Sequence, residues 1–118
     1  MSVRVPKDLS DCRLFFLTPA SAKQRQYEAL RAFFVEDTRS RRIPSDLESR
    51  LFRKLQMIDD ATVDQDLRAP PSNHFEKLRG KLAGLHSIRV NDQWRLIFRW
   101  NGRRGEAEDV YLDDHSYR

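Results

Sequence analysis

Glycine, cysteine and long apolar runs are all scarce in this chain of 118 residues. Four glycines and five prolines exclude a collagenous or low-complexity chain. The single cysteine, Cys12, cannot build an internal disulfide framework and fits a reducing, cytoplasmic setting. No apolar run approaches the ~18 residues of a membrane span, and the first residues do not resemble a signal peptide. No membrane partner is therefore expected. Metal-ligand spacing is missing as well: Cys12, His74, His86 and His115 are scattered, without C-x-x-C or H-x-x-x-H. There is no P-loop, no G-x-G-x-x-G and no G-x-S-x-G. Zinc fingers, nucleotide-binding enzymes and serine hydrolases drop out, and no metal or cofactor is expected.

What the chain has is charge, unevenly spread. Lys and Arg number 22 against 18 Asp and Glu, a formal net charge of +4. Residues 73–105 hold eight basic and two acidic side chains, a net +6, whereas residues 106–118 hold one and five, a net −4. Such a basic block is the electrostatic footprint of a nucleic-acid contact, since its cations replace the counterions around phosphates. A plainly solvated basic face is the ordinary alternative, so placement has to decide.

The length suits one domain over residues 1–118, with residues 1–11 a loose tail. Arg13 to Leu17 reads as a short strand. Thr18-Pro19 reads as a helix start, and Tyr27, Leu30, Phe33 and Phe34 carry helical spacing to about Glu36. After a charged connector, Pro44-Ser45 opens a second helix with Ser45 and Glu48 at capping-box spacing. Its apolar stripe is Leu47, Leu51, Leu55 and Ile58, and it ends near Asp60. Residues 61–72, with Pro70-Pro71, read as a connector. Beyond residue 73 the period drops to two: Ile88 and Val90, then Trp94, Leu96, Phe98 and Trp100, alternate with Arg89, Arg95 and Arg99. Asn101-Gly102 is the strongest turn signal, and Val110 to Leu112 reads as a last strand. The expected fold class is α+β, an N-terminal strand and two helices packed on an antiparallel meander.

The register of the central hairpin follows from segregation of charge. A two-residue turn at Asn91-Asp92 would set Ile88 opposite Arg95. A three-residue turn over 91–93 instead pairs Val90 with Trp94, Arg89 with Arg95 and Ile88 with Leu96. Facing arginines are destabilising unless an anion lies between them. His86 falls on the face of Ile88 and Val90 and reads as a hydrogen-bonded core histidine; Trp94 and Trp100 read as core, and His74 as an exposed loop residue. Metal-free RNA cleavage needs a base for the ribose 2′-OH, cations for the pentacovalent phosphate and an acid for the leaving 5′-oxygen. Glu76, Lys77, Arg79, Lys81, Arg89, Arg95, His115 and Tyr117 are the polar side chains that offer these parts.

Leu67 to Asn73, Phe75 to Gly80, and Gly84-Leu85-His86-Ser87-Ile88-Arg89-Val90-Asn91-Asp92-Gln93-Trp94-Arg95-Leu96 resemble the HigB group of RelE-superfamily toxins, the toxin halves of type II toxin–antitoxin systems. Thr38 to Pro44 and on to Ala61 fit too, so the resemblance spans roughly residues 36–115. It implies a RelE-like fold and a ribosome-dependent mRNA endonuclease, neutralised by a cognate helix-turn-helix antitoxin of HigA type. It implies catalytic parts for Arg79, at the place of a family lysine, and for Glu76, where some members carry histidine. It implies that Arg95, in the retained Trp94-Arg95 pair, contacts the scissile phosphate, and that His115 stands at the place of a C-terminal tyrosine. Lys77, Lys81, Arg89 and Tyr117 are then the RNA-binding set. Two rivals keep part of this reading: a ParE-like toxin acting on DNA gyrase, and a non-catalytic nucleic-acid-binding domain.

Overall fold

Helical spacing in the first half of the chain gives α1 at Gln24–Glu36, whose Tyr27, Leu30, Phe33 and Phe34 are all buried. The structure, a computed structural model, describes residues 24–114. The expected tail, the strand at Arg13 to Leu17, the Thr18-Pro19 helix start, His115 and Tyr117 lie outside the described residues. Helix α1 stops where Asp37 takes a left-handed backbone (φ 55), a conformation aspartate tolerates better than most residues.

The second helix starts differently from expectation. A 3₁₀ turn at Ser45–Leu47 leads into α2 at Glu48–Asp60, and neither start has a side-chain cap. The capping box between Ser45 and Glu48 does not form. Ser45 already lies inside the turn, so the Pro44 carbonyl accepts the Leu47 N–H at 3.0 Å, and Glu48 instead faces Arg39 at 3.7 Å. The apolar stripe holds as expected: Leu47, Leu51, Leu55 and Ile58 are 0–2% exposed.

The expected connector over 61–72 also carries structure. Helix α3 spans Asp64–Arg68, and a 3₁₀ turn follows at Pro71–Asn73. The Asp66 carboxylate reaches back to accept the N–H groups of Thr62 and Val63 at 3.0 and 3.3 Å, which anchors α3 at its start. These hydrogen bonds hold the Asp66 pKa below its ordinary value of 3.8. Buried Leu67 docks the short helix on the core.

Four antiparallel strands, β1 (Glu76–Lys77), β2 (Leu85–Arg89), β3 (Trp94–Asn101) and β4 (Glu106–Asp114), follow in meander order. The β2–β3 register is the one that charge segregation selected: Ile88 lies opposite Leu96, and Arg89 opposite Arg95. The Val90 N–H bonds to the Trp94 carbonyl at 2.9 Å, and the Asn91 side chain accepts the Gln93 and Trp94 N–H groups, building the three-residue turn. The Asn101-Gly102 signal marks only the start of its turn. Strand β3 runs through Asn101, the turn covers residues 102–105, and the positive φ (64) falls on Gly105. The Asn101 side chain shapes this longer connection by accepting the Arg103 and Arg104 N–H groups at 3.1 Å.

Ile88, Leu96 and Leu112 form one row of the sheet face that meets the helices. Opposite Phe98 the β4 register slips at Asp109 (φ 56), which lets Ala107 and Val110 both face the core although they are three residues apart. The Phe52 ring of α2 meets Phe33 edge-on at 6.5 Å and Phe34 at 5.3 Å. Trp100 donates its indole N–H to Asp64 at 2.7 Å, tying α3 to β3. The Gln26 amide of α1 both donates to the Leu112 carbonyl and accepts its N–H, each at 2.8 Å. This is the expected α+β arrangement. Among the described residues no helix is long and apolar enough to cross a membrane.

Candidate functional site

The sheet face away from the Ile88–Leu96–Leu112 row carries two others. Glu76, Ser87, Ile97 and Tyr111 lie in register across the four strands, and Arg89, Arg95 and Asp113 lie in the next row. This face is less polar than alternation suggested, because Ser87 and Ile97 are 2% and 0% exposed. The charged groups therefore sit beside buried Ser87 and Ile97. A groove of about 260 Å³ opens here, bordered by Glu76, Arg89, Arg95, Asp92, Trp94 and His74.

Facing arginines called for an anion, and the chain supplies one to each. Arg95 gives its Nε–H to Asp113 at 3.4 Å, both side chains being less than 15% exposed. Arg89 pairs with Asp92, gives its Nε–H to the Asn91 carbonyl at 3.2 Å and meets His74 Nε2 at 3.4 Å. An arginine can only donate, so His74 Nε2 is the acceptor. Arg99, third in the alternation, pairs with Asp109 at 3.5 Å. Acidic residues of β4 thus pair with Arg95 and Arg99 of the basic strands. Among the described residues only one of the five Arg95 N–H groups is engaged, and the guanidinium borders the groove.

His74 is the groove residue that sequence reasoning passed over. It sits where a 3₁₀ turn ends, in a left-handed backbone (φ 45, ψ 52). Asn73, fully buried, holds it there: its amide donates to the Leu67 carbonyl at 2.9 Å, its oxygen accepts from Lys54 Nζ, and its own N–H returns to Pro70 at 3.0 Å. The signal was the dipeptide Asn73-His74 after two prolines, which allows a tight turn with a left-handed exit.

The remaining expected site residues are dispersed. Glu76 is exposed and borders the groove. Lys77 is exposed and pairs with His86, in the row that continues to Phe98, so it belongs to the opposite face. Arg79 and Lys81 are exposed around the 3₁₀ turn at Gly80–Leu82 and stand away from this groove. His86 departs from its expected role. Its buried Nδ1 has no hydrogen-bond partner, and its ring stacks on Phe75 at 5.2 Å. Ring packing takes the place of the expected bond. Burial pushes its pKa below 6.5, Lys77 and Arg68 add to this, and Asp64 opposes it. Among the described residues no three His, Cys, Asp or Glu side chains gather as a metal site would need.

Two guanidiniums and a carboxylate around one concavity can hold a phosphodiester, stabilise charge developing on it and accept a proton beside it. Residues 23–115 match the family of HigB-like toxins, described as the RelE-like toxin of the type II toxin–antitoxin system HigB. "Toxin HigB-1" of Vibrio cholerae serotype O1 is 52% identical over 88 residues, which cover 75% of this chain and 90% of that protein. An uncharacterized protein of Haemophilus influenzae is 48% identical over 81 residues, 69% of this chain and 77% of its own. Matched over most of its length, the chain belongs to the HigB-like family, the RelE-like toxins of type II toxin–antitoxin systems.

Proposed function

We propose that this toxin is an endoribonuclease that cuts mRNA on the ribosome and thereby stops translation. It acts in the cytoplasm as a single domain, supplies all charge stabilisation from its own side chains without a metal, and is held in check by a HigA-like helix-turn-helix antitoxin. The observation that carries this reading is the Arg89–Arg95 cross-strand pair bordering a groove that also holds Glu76.

In the proposed reaction the Glu76 carboxylate takes the proton of a ribose 2′-OH, and the freed oxygen attacks the adjacent phosphorus. Arg95 and Arg89 hold the phosphoryl oxygens as charge accumulates in the pentacovalent state, a stabilisation favoured over the buried Ser87–Ile97 floor. The P–O5′ bond then breaks, and the leaving oxygen receives a proton from His115, the assigned acid. A 2′,3′-cyclic phosphate and a 5′-hydroxyl result, so atoms and protons balance. Arg79, Lys77 and Lys81 add to the positive field that draws RNA to the domain, and Tyr117 is the remaining expected RNA contact.

The test is a purified translation system programmed with one mRNA, in which cleavage is mapped by primer extension. Cleavage that needs translating ribosomes, and that is undiminished when the purified chain is stripped with chelator and dialysed before being added, is the expected result. Inhibition of gyrase supercoiling with intact mRNA would move the protein to the ParE-like alternative.

A further inference from the structure

A second, larger groove adjoins the first. It has a volume of about 450 Å³ and shares His74, Arg89 and Asn91 with its neighbour. Its other wall is the outer surface of α2, which contributes Arg50, Arg53 and Lys54. No carboxylate lines it. The first groove, by contrast, has Glu76 and Asp92 on its border. Arg50 and Arg53 are exposed, and neither they nor Lys54 has a carboxylate partner among the described residues. Carboxylates pair with Arg31, Arg39, Arg89, Arg95 and Arg99, whereas exposed Arg41, Arg42, Lys77, Arg79, Lys81 and Arg103, like Arg50 and Arg53, have none among the described residues. The α2 groove differs in gathering three such cations in one concavity. The α2 groove leaves its charges unmatched.

One of these cations is built in place. Lys54 Nζ is held by Asn73 Oδ1 and lies 3.5 Å from Ser72 Oγ, two neutral acceptors. Burial, then the neighbouring Arg53, pulls its pKa below 10.5, so its charged form lacks compensation. Like charges gathered in one concavity repel unless a polyanion lies among them. The shared wall at His74 and Arg89 makes the two grooves continuous, as consecutive phosphates of one strand require.

We propose that the α2 groove is an RNA phosphodiester site, in which Arg50, Arg53 and Lys54 hold the backbone that leads to or from the phosphate at Arg89 and Arg95. This rests on the endonuclease reading and extends it, naming the stretch of nucleic acid held beside the cut. The same chemistry is offered by mRNA and by ribosomal RNA, and the experiment separates them.

The probes are a fluorescein-labelled single-stranded RNA blocked at every 2′ position by O-methylation, and vacant ribosomes. Binding of the full chain is measured by anisotropy and by co-sedimentation over a salt titration. The variants are the double substitution Arg50→Ser/Arg53→Ser and, as a charge-matched control, Arg41→Ser/Arg42→Ser, two exposed arginines that line neither groove. The α2 variant should bind more weakly, with a slope of log affinity against log salt shallower by about 1.4, at ~0.7 for each phosphate no longer neutralised. The control slope should stay close to wild type. Weaker binding to the oligonucleotide supports the groove as the track of the cleaved strand; weaker binding to ribosomes alone assigns it to ribosomal RNA and overturns its continuity with the cut. Wild-type slopes for the α2 variant on both probes, with cleavage retained, overturn the groove and leave the endonuclease reading standing. Failure to form the antitoxin complex, with RNA binding intact, makes the groove a protein-binding surface and also overturns it. A wild-type chain that neither binds nor cleaves RNA removes both readings. Thermal melting of each variant guards against unfolding.

Discussion

At Arg95 one N–H group is committed to Asp113 while the guanidinium borders the groove, so a substitution there acts on stability and on chemistry together. Arg95→Ala takes one ion-pair partner from the nearly buried Asp113, which costs up to about 3 kcal/mol. The register alone suggested relief of a like-charged neighbour; the carboxylate reverses that sign. The two effects separate in the double variant Arg95→Gln/Asp113→Asn, which removes both charges. We expect it to melt close to wild type yet cleave mRNA roughly a hundred- to thousand-fold more slowly, the usual effect of removing a donor to developing negative charge. Wild-type cleavage by this folded variant would remove Arg95 from the reaction. Gly105 offers a purely structural counterpart. Its φ is +64, and a Cβ placed there would come within 2.1 Å of the Thr62 carbonyl oxygen. Gly105→Ala should therefore destabilise by at least ~1–3 kcal/mol, seen as a lower melting temperature. Unchanged melting would show that the 102–105 turn can rearrange freely.

Elements with strong periodicity were legible in the sequence, and those held by single polar side chains were not. The α2 stripe and the β2–β3 register follow from apolar spacing, because burial of one face specifies both. Helix α3 has only five residues and one fully buried apolar anchor, Leu67, too little to show a period; Asp66 fixes its start instead. The groove was half legible for the same reason. Glu76, Arg89 and Arg95 stand on strands whose alternation sets their face, whereas His74 is positioned by Asn73 through hydrogen bonds to residues 6 and 19 positions away. Asn73→Ala would strip the Leu67 carbonyl and Lys54 Nζ of this partner at once. It should cost about 2–3 kcal/mol, because buried polar groups left unpaired are expensive. Since Lys54 and His74 both depend on Asn73, RNA affinity of the still-folded fraction should fall too. A melting temperature and salt slope equal to wild type would show that the turn stands without it.

Across the whole molecule, His86 and Asp66 are the described groups whose shifted titration makes stability depend on acid. The folded-state pKa of His86 lies below 6.5, chiefly through burial, so the unfolded chain takes up this proton first. Above pH 6.5 the histidine is neutral in both states and costs nothing. As pH falls below 6.5, stability declines until the folded-state value is passed. Asp66 behaves as a stabilised carboxylate: its contribution is present above 3.8 and disappears as pH falls through its lowered folded value. Denaturant melts between pH 7 and 5 should show the first decline, and His86→Phe, which keeps a ring against Phe75, should flatten it. An unchanged pH slope in that variant would exclude His86 as the source.

The amide of Gln26 occupies the Leu112 N–H and carbonyl as a neighbouring strand would. Among the described residues, a side chain from the first helix therefore blocks the β4 side of the sheet at Leu112. Growth by strand addition there, by a second copy or by an inhibitor in extended conformation, must first break both of those bonds. At the opposite margin, β1 offers only Glu76 and Lys77, too short a template for a long added strand. A protein that must bind a partner tightly, yet not polymerise with itself, is left to be recognised through side chains and grooves rather than through its backbone.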